Sequence, residues 1–302
     1  MRERAARQSF LVYGLRVHSQ FAFDIPAGPA ISGTAEVSIR FGKVAVAPGV
    51  DPSARAWRHI APRSNTYGFA GLGRFEAAAG ASIIVDALPS ADPALIQHVT
   101  LGIVMAGLLL QRQVYPLHGN AVRVRGDALG FVGASGAGKS TLAAALVQRD
   151  HPLVSDDIIA LSATADRVHI APGIGRLKLF PAVLHALGED PKQHATVFAS
   201  TTKRLLEVPC VSPTDTPRLA AVYLIQDAAE ISIEPVAPHI AHLQLMAQAF
   251  RPDVTSLTIG RGRYFRTAAE IAEHVPVFTL GRPRDLSALE AIASAVESHR
   301  RE

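Results

Sequence analysis

Short apolar and alternating runs occupy the first ninety residues and predict β-structure there. Runs rich in Val, Ile and Phe lie at 9–17, 34–41 and 81–85, and Gly, Pro, Ser and Asp separate them. β-Branched and aromatic residues in short runs between turn residues are typical of strands. We therefore predict a small β-rich N-terminal domain over residues 1–92, ending in the proline-bracketed segment 89–93.

The pattern changes to helical spacing at residue 94 and then alternates between strands and helices. Residues 94–111 predict a buried helix, because their most apolar part, 101–110, is about half the length that spans a bilayer. Further strands are predicted at 115–124, 128–132, 151–157, 219–225, 231–236 and 276–280, and helices at 141–148, 241–250, 268–274 and 285–299. Strands that alternate with helices indicate an α/β domain, which we place at 93–302.

A glycine-rich loop lies between the strand predicted at 128–132 and the helix that follows it. The loop and the next residue read Gly133-Ala134-Ser135-Gly136-Ala137-Gly138-Lys139-Ser140-Thr141. Glycines let backbone N–H groups surround an anion, and the helix N-terminus adds partial positive charge. In this pattern Lys139 reaches the β- and γ-phosphates, and the Ser140 hydroxyl binds Mg²⁺. Residues 133–141 therefore predict a site for ATP and Mg²⁺; the alternative is a glycine-rich turn without a ligand.

Two adjacent carboxylates, Asp156 and Asp157, end the strand predicted one helix after the loop. An aspartate in this place is the usual support for Mg²⁺ in phosphate-loop enzymes. A second carboxylate beside it can accept the proton of an incoming hydroxyl group. The pair therefore predicts phosphoryl transfer to a hydroxyl acceptor; the alternative is a solvent-facing turn.

Five further side chains are candidates for the site. Taken alone, a histidine such as His118 is more often a hydrogen-bonded structural residue than a catalytic one. Four cations are candidates for contacts with phosphate or an acidic substrate, and each could equally be an ordinary surface residue: Arg176, Lys178, Lys203 and Arg204. Because Arg176 follows a Gly- and Pro-containing segment, we predict that it belongs to a mobile loop of the active site.

Composition narrows the class of protein. The chain has 302 residues, 48% of them apolar and 19% charged, with a net charge of +4, which is typical of a globular protein. It carries no cluster of Lys and Arg with interleaved aromatics, so we expect no nucleic-acid partner. Cys210 is the single cysteine, so an internal disulfide is excluded. The charged segment 1–7 is not followed by a cleavable apolar stretch, and we expect a cytoplasmic protein without a membrane partner.

The order and spacing of three elements resemble the catalytic domain of HPr serine kinase/phosphorylases. These are His118-Gly119, the loop 133–140, and Asp150-His151-Pro152-Leu153-Val154-Ser155-Asp156-Asp157, which matches the family pattern G/D-H-x-L-V-x-D-D. The resemblance covers 115–180 and implies an HPr kinase-like P-loop domain behind the β-rich domain. It implies that Asp157 accepts the proton of a substrate serine and that Lys139 binds nucleotide phosphates. It also implies that Ser140 and Asp156 hold Mg²⁺, that His118 lies in the active centre, and that the protein forms a homo-oligomer.

The stretch 169–180 departs from that family. The family has a glutamate-containing loop of the type E-I-R-G-L-G-I-I-N-V, which serves the reverse, phosphorolytic reaction, and this stretch contains no glutamate. We therefore do not carry over the reverse reaction or HPr as the substrate. The pattern P-G-x-x-R-L-x-L-F at 172–180 and the ending at 276–283 resemble the kinases encoded with lasso-peptide genes. Those enzymes phosphorylate a serine of the precursor peptide, typically at its C-terminus.

The residues leave three functional hypotheses. The first is a kinase that transfers phosphate from ATP to a serine of a peptide or protein. The second is a nucleotide-sensing switch or ATPase whose only acceptor is water, although the N-K-x-D and L-S-G-G-Q motifs of common versions are missing from the sequence. The third is a small-molecule kinase.

Overall fold

The computed structural model describes residues 8–26, 28, 33–164 and 166–300. The segment 1–7, on which the expectation of no signal peptide rests, lies outside the described residues. Two large β-sheets with helices packed on them make up the described chain, so the α/β fold class is confirmed.

The N-terminal sheet has seven strands and confirms the β-rich character expected there. In chain order its strands are β1 (Gln8–Val12), β2 (Leu15–Ser19), β3 (Val37–Phe41), β4 (Ala56–Ala61), β5 (Ser64–Phe69), β6 (Gly73–Ala78) and β7 (Ser82–Ala87). They lie in the order β1-β2-β3-β7-β6-β5-β4, with β3 parallel to both its neighbours and the other pairs antiparallel. Val17, Ile39, Phe75 and Ile83 are buried, as the alternation of a sheet with one covered face requires.

The run predicted as one strand at 9–17 forms two strands, β1 and β2, with a two-residue turn between them. The φ angle is +52° at Tyr13 and +71° at Gly14, which is the backbone of a type I′ hairpin turn. The Tyr13 N–H donates a hydrogen bond to the Pro172 carbonyl at 2.7 Å. The tip of this hairpin therefore contacts the second half of the chain.

The helix predicted at 94–111 is present and covers the N-terminal sheet. It consists of α1 (Pro93–Val99), a π-helical turn at Thr100–Val104 and α2 (Met105–Gln111). The Asp92 side chain caps its start by accepting a hydrogen bond from the Ala94 N–H at 2.9 Å. Val104 packs in the same core as Phe75 of the sheet. The helix thus joins the core of the N-terminal sheet, and the domain boundary between residues 92 and 93 remains a prediction.

By length and composition, Pro93–Gln111 is the one helix of the described chain that could cross a membrane, with a mean hydropathy of 1.8. However, 61% of this stretch is buried inside the protein. Leu101, Val104 and Leu109 are among its buried side chains. A helix whose apolar residues are covered in this way has the character of a core helix of a soluble fold.

The strands after residue 112 form one large sheet and one small one. In chain order they are β8 (Tyr115–Val124), β9 (Asp127–Val132), β10 (Leu153–Ser155), β11 (Ile158–Ala163), β12 (Val168–Ala171), β13 (Arg176–Leu179), β14 (Arg204–Glu207), β15 (Leu219–Asp227), β16 (Ser232–Pro235) and β17 (Val277–Arg282). β13 pairs only with β14, and the others form an eight-stranded sheet in the order β12-β11-β8-β9-β15-β17-β16, with β10 beside β8. Because β9, β15 and β17 are parallel, their carboxyl ends meet at one edge, where ligands of such sheets bind.

Helices cover both faces of the eight-stranded sheet. They are α3 (Lys139–Gln148), α4 (Pro181–Ala186), α5 (Pro238–Ala247), α7 (Arg261–His274) and α8 (Leu289–His299). The remaining helix, α6 (Pro252–Ile259), instead places Val254 in the core of the N-terminal sheet. α3 and α8 share a core with Leu129 and Phe131, and α5 and α7 share one with Val132 and Leu224 on the opposite face. The strands and helices predicted after residue 93 are present, whereas α4, α6 and strands β11 to β14 lie where the sequence predicted none.

Candidate active site

The glycine-rich loop connects the end of β9 to the start of α3, at the carboxyl edge of the parallel strands. Gly133 has a φ of +144°, and a Cβ there would come within 2.8 Å of the Ile225 carbonyl oxygen. Gly138, the residue before α3, has a φ of +91° and would bring a Cβ within 3.2 Å of the Arg282 guanidinium. Only glycine tolerates both the positive φ and the close contact at these two positions. The Ala137 N–H donates to the Ala134 carbonyl at 3.1 Å, so the other N–H groups of the loop are the candidates for contact with a ligand at the start of the helix.

Lys139 is the first residue of α3 and is folded back over the loop. Its residue exposure is 8%, and its ammonium donates hydrogen bonds to the Gly133 carbonyl at 2.9 Å and the Ala134 carbonyl at 3.0 Å. Burial lowers the pKa of Lys139, although the carboxylate of Asp157 opposes that shift. The charge of Lys139 is thus held at the mouth of the loop by two carbonyl groups.

A cavity of about 520 Å³ opens over the loop. This volume lies within the roughly 300–1,000 Å³ that is common for small-molecule sites. Loop residues and Ser140 form its floor, His118 and Asp157 form one side, and Leu286 and Leu289 form part of the far, more apolar end. The cavity has room for a nucleotide whose phosphates lie on the loop.

Asp156 follows β10 and is buried beside the start of α3, with a residue exposure of 8%. Its Oδ1 atom accepts a hydrogen bond from the Asn120 amide and lies 3.4 Å from the Ser140 hydroxyl. Its Oδ2 atom is buried and has no hydrogen-bond partner among the described residues. Burial raises the pKa of Asp156 to about 6, although the ammonium of Lys178 acts in the opposite direction.

The surroundings of Asp156 fit a magnesium ion. An unpartnered carboxylate oxygen and a nearby hydroxyl group are both ligands of the kind that Mg²⁺ prefers. The described residues contain no group of three or more His, Cys, Asp or Glu side chains that could hold a metal by themselves. That is compatible with Mg²⁺, which usually binds through one or two carboxylates together with water and substrate phosphates. Ser140 and Asp156 are therefore suited to this ion.

Asp157 occupies the tight turn between β10 and β11. Its φ is +72°, a left-handed backbone that Asp tolerates better than most residues. The Lys178 ammonium lies 2.7 Å from its Oδ2 atom, and the His118 Nδ1 atom lies 3.4 Å from its Oδ1 atom. Burial opposes ionisation of Asp157, but Lys178 and then the imidazole of His118 hold its pKa well below the usual range. The carboxylate is therefore ionised near neutral pH.

Two histidines approach this carboxylate from different elements. Burial lowers the pKa of His118, although Asp157 acts to raise it. His98, on α1, was not predicted; burial and the nearby Lys178 lower its pKa to about 4. Both imidazole rings are therefore predominantly neutral at pH 7.

The four predicted cations separate into two groups. Lys178 and Lys203 line the cavity, and the Lys203 ammonium lies 4.9 Å from the centre of the Phe180 ring. Arg176 and Arg204 do not line it in the part of the chain that the structure describes. The Arg204 guanidinium lies instead near the His194 carbonyl, at 3.5 Å.

Arg176 differs most from its sequence prediction. It begins strand β13, and its residue exposure is 7%, so it is not in the mobile loop that we expected. Its guanidinium pairs with Asp24 at 3.1 Å and with Glu207 at 2.6 Å. These two carboxylates hold Arg176 away from the cavity over the loop.

Besides His98, two residues of this site were not predicted from the sequence. Asn120 contacts both Asp156 and Ser140, and its position two residues after His118 on β8 was its only signal. Arg282 ends β17, and its Nε donates to the Ala137 carbonyl at 3.1 Å. Its signal was the end of a predicted strand, because parallel strands carry their carboxyl ends to one edge.

The part of the chain that carries the loop and the two aspartates is similar to known proteins. Residues 110–176 match the family model of the HPr Serine kinase C-terminal domain. This segment is HPr kinase-like. It contains His118, Asn120, the loop and both aspartates, whereas Lys178, Lys203 and Arg282 lie beyond it.

Two curated relatives of this HPr kinase-like segment carry the name HPr kinase/phosphorylase. The protein of Azoarcus sp. (strain BH72) is 47% identical over 64 residues, and that of Prosthecochloris aestuarii (strain DSM 271 / SK 413) is 41% identical over 61 residues. Each match covers 20% of this chain, and 20% and 18% of the relatives, so the chain spans about a fifth of their length. The solved HPr(Ser) kinase/phosphatase from Coxiella burnetii aligns with a TM-score of 0.35 and 14% identity, covering 61% of this chain and 95% of that chain.

Proposed function

We propose that this protein is an ATP- and Mg²⁺-dependent kinase that transfers the γ-phosphoryl group to a serine hydroxyl of a peptide or protein. The observation that carries the proposal is the arrangement at the end of β10. Asp156 lies 3.4 Å from the Ser140 hydroxyl, and both Ser140 and Asp157 line the cavity over the loop. A metal support and a proton acceptor then flank the place where the γ-phosphate would lie.

The phosphates of ATP bind the backbone N–H groups of residues 133–138 and the N-terminus of α3. The Lys139 ammonium now donates to two loop carbonyls and would exchange them for phosphate oxygens. Ser140 and Asp156 would hold Mg²⁺, which supplies neutralisation of the phosphate charge. Lys178 and Lys203 line the side of the cavity and add positive charge near the transferred group.

Asp157 accepts the proton of the serine hydroxyl. A carboxylate with a depressed pKa is a weak base, so its contribution comes chiefly from orientation of the hydroxyl. Phosphoryl transfer passes through a loose transition state, in which positioning and charge stabilisation matter more than strong nucleophile activation. His118 and Lys178 hold the carboxylate in place from two sides.

The acceptor that we favour is a peptide, specifically a lasso-peptide precursor with a C-terminal serine. The sequence resemblance at 172–180 and 276–283 supports this choice. The stretch 169–180 lacks the glutamate that serves the phosphorolytic reaction, so the proposed direction is transfer from ATP. We further propose that the enzyme works in the cytoplasm as a homo-oligomer, as the resemblance implies.

The decisive experiment incubates the protein with labelled ATP, Mg²⁺ and serine-containing peptides, including precursors that end in serine. We expect phosphoserine from the wild type and a loss of about 10²-fold or more in transfer rate for Asp157→Asn. Asp150→Asn is a matched control, because Asp150 is exposed and also has a positive φ, of +64°. Equal rates for Asp157→Asn and wild type would remove the proposed base. ATP hydrolysis that no peptide diverts would favour a nucleotide switch, and a phosphorylated metabolite would favour a small-molecule kinase.

A further inference from the structure

A second cavity shares the Asp157–Lys178 ion pair with the cavity over the loop. It measures about 70 Å³, and both members of the pair line it as well as the cavity over the loop. The N-terminal half of the chain contributes Tyr13, Asp24 and His98 to its wall, and the second half contributes Asp156 and Arg176 besides the ion pair. We call this space the junction cavity.

The N-terminal wall of the junction cavity is fixed by specific hydrogen bonds. The Asp24 N–H donates to the Gln97 side-chain oxygen at 2.8 Å, and the Gln97 amide donates back to the Asp24 carbonyl at 2.7 Å. The Arg176 guanidinium also donates to the Asp24 carbonyl, at 2.9 Å. The segment that carries Asp24 is therefore tied both to α1 and to β13.

Free space in the cavity borders the helix at Gly102. This glycine lies in the π-helical turn, and it is buried. A Cβ added to Gly102 would nevertheless meet no heavy atom within 4 Å. A buried position with this much room faces a void, and its non-helical backbone, with a φ of −96° and a ψ of −107°, marks a kink in the helix at this point.

The cations around the cavity are already paired with carboxylates, whereas Asp156, which also lines it, has an unpartnered Oδ2 atom. Lys178 pairs with Asp157, and Arg176 pairs with Asp24. His98 is neutral at pH 7 because burial holds its pKa at about 4. An anionic ligand would find these cations already paired and would meet the Asp156 carboxylate, whereas a neutral group with one hydrogen-bond donor would find the Asp157 carboxylate as an acceptor.

The size of the cavity restricts the ligand further. A single water needs about 10–15 Å³ of such volume, so the space holds a short side chain but not an aromatic ring. Ile25, Leu101 and Ile174 add apolar surface to its wall. The matching chemistry is a small hydroxyl-bearing side chain.

We propose that the junction cavity receives the side chain of the phosphoryl acceptor and that the N-terminal half of the chain selects serine through its wall. The inference rests on the proposed kinase function and identifies its acceptor site. The serine oxygen forms a bond to the γ-phosphorus, and its proton passes to the Asp157 carboxylate. The bond from the γ-phosphorus to the bridging oxygen breaks, and its electron pair leaves with ADP.

The test compares Gly102→Ala with Gly262→Ala, using labelled ATP and degenerate peptide mixtures whose fixed central residue is serine, threonine or tyrosine. The Gly102 methyl group enters the cavity, whereas Gly262 lies in α7, where an added Cβ would meet only the Arg266 side chain, at 3.5 Å. We expect about tenfold lower kcat/KM for the serine mixture in Gly102→Ala, given how steeply transfer depends on acceptor placement. The Kd for ATP should be unchanged in both variants.

His98→Ala provides an independent readout should Gly102→Ala prove unstable in thermal unfolding. Removal of the imidazole widens the cavity, so we expect the ratio of threonine to serine phosphorylation to rise at least severalfold. Unchanged serine kinetics in Gly102→Ala together with an unchanged threonine ratio in His98→Ala would overturn the inference while the kinase function stands. A wild type that phosphorylates none of the three mixtures and no metabolite would overturn both.

Discussion

The ammonium of Lys178 lies 2.7 Å from the Oδ2 atom of Asp157, and this ion pair lines both the cavity over the loop and the junction cavity. Lys178 stands on β13, which pairs only with β14, and it lies two residues after Arg176. The cation that keeps Asp157 ionised is thus supplied by a small sheet outside the eight-stranded one.

Lys178→Met should move the acid limb of the pH profile of kcat/KM to higher pH. Lys178 holds the pKa of Asp157 below its usual range, so its loss raises that pKa and protonates the carboxylate at higher pH. A neighbouring cation typically lowers a carboxyl pKa by about 1–3 units, which sets the expected displacement. Steady-state kinetics between pH 4 and 8 measure it, with the exposed Lys192→Met as control. An acid limb that stays in place would show that Lys178 does not govern Asp157.

Asp156→Asn should stabilise the protein at pH 8 while it abolishes Mg²⁺-dependent transfer. The folded pKa of Asp156, about 6, lies above the ordinary aspartate value of 3.8, so burying its charge destabilises the fold at high pH. We expect roughly 1–3 kcal/mol more unfolding free energy at pH 8, since one pKa unit corresponds to about 1.4 kcal/mol. The difference should vanish as pH falls below about 4, where the wild-type carboxyl is protonated in both states.

Urea unfolding of wild type and Asp156→Asn at pH 8 and pH 4 measures this difference. Asp166→Asn, at an exposed position, is the control and should be neutral at both pH values. Asp156→Asn that is less stable than wild type at pH 8 would contradict the idea that a buried charge is the main effect.

Arg282→Ala should weaken nucleotide binding without a large loss of stability. The guanidinium donates from Nε and Nη2 to the Ala137 carbonyl and packs against Gly138, so it braces the loop in its ligand-binding shape. Loss of this bracing should raise the Kd for ATP about tenfold, which corresponds to about 1.4 kcal/mol. Isothermal titration calorimetry measures the Kd, and the exposed Arg218→Ala serves as control. An unchanged Kd would assign Arg282 a packing role only.

Arg176→Met should lower the free energy of unfolding but leave the Kd for ATP unchanged. The buried guanidinium joins Asp24 to Glu207, and both partners are largely exposed, so water can solvate them after the substitution. We therefore expect a loss of about 1–3 kcal/mol rather than the larger cost of leaving a buried charge unpaired. Chemical unfolding and nucleotide titration measure the two quantities. A stable variant that no longer binds ATP would restore Arg176 as a phosphate contact.

The loop and the two aspartates were predictable because each depends on local sequence. A run of glycines before a lysine, between a strand and a helix, requires nothing from elsewhere in the chain to be recognised. The structure then brings Ser140 and Asp156 together, as the order of motifs implied. The catalytic roles of these residues stay predictions until the kinetics are measured.

The contributions of Asn120, Asp24 and Arg282 were not predictable, because they depend on strand pairing and long-range packing. Asp24 and Arg176 are 152 residues apart in the sequence, and no local pattern links them. Asn120 reaches Asp156 because β8 lies between β9 and β11 in the sheet. Strands β4, β5 and β6 were also missed: exposed Arg58 and His59 interrupt the apolar alternation in β4, and the buried polar Asn65 and Thr66 interrupt it in β5.

The helix at Pro93–Gln111 interlocks the two halves of the molecule. Its Val104 and Leu108 side chains belong to the core of the N-terminal sheet, and its Gly102 lines the junction cavity. A fragment that ends at this helix would expose its apolar side chains to solvent and would aggregate rather than fold as a smaller enzyme. The chain should accordingly melt in a single cooperative transition, as one indivisible unit.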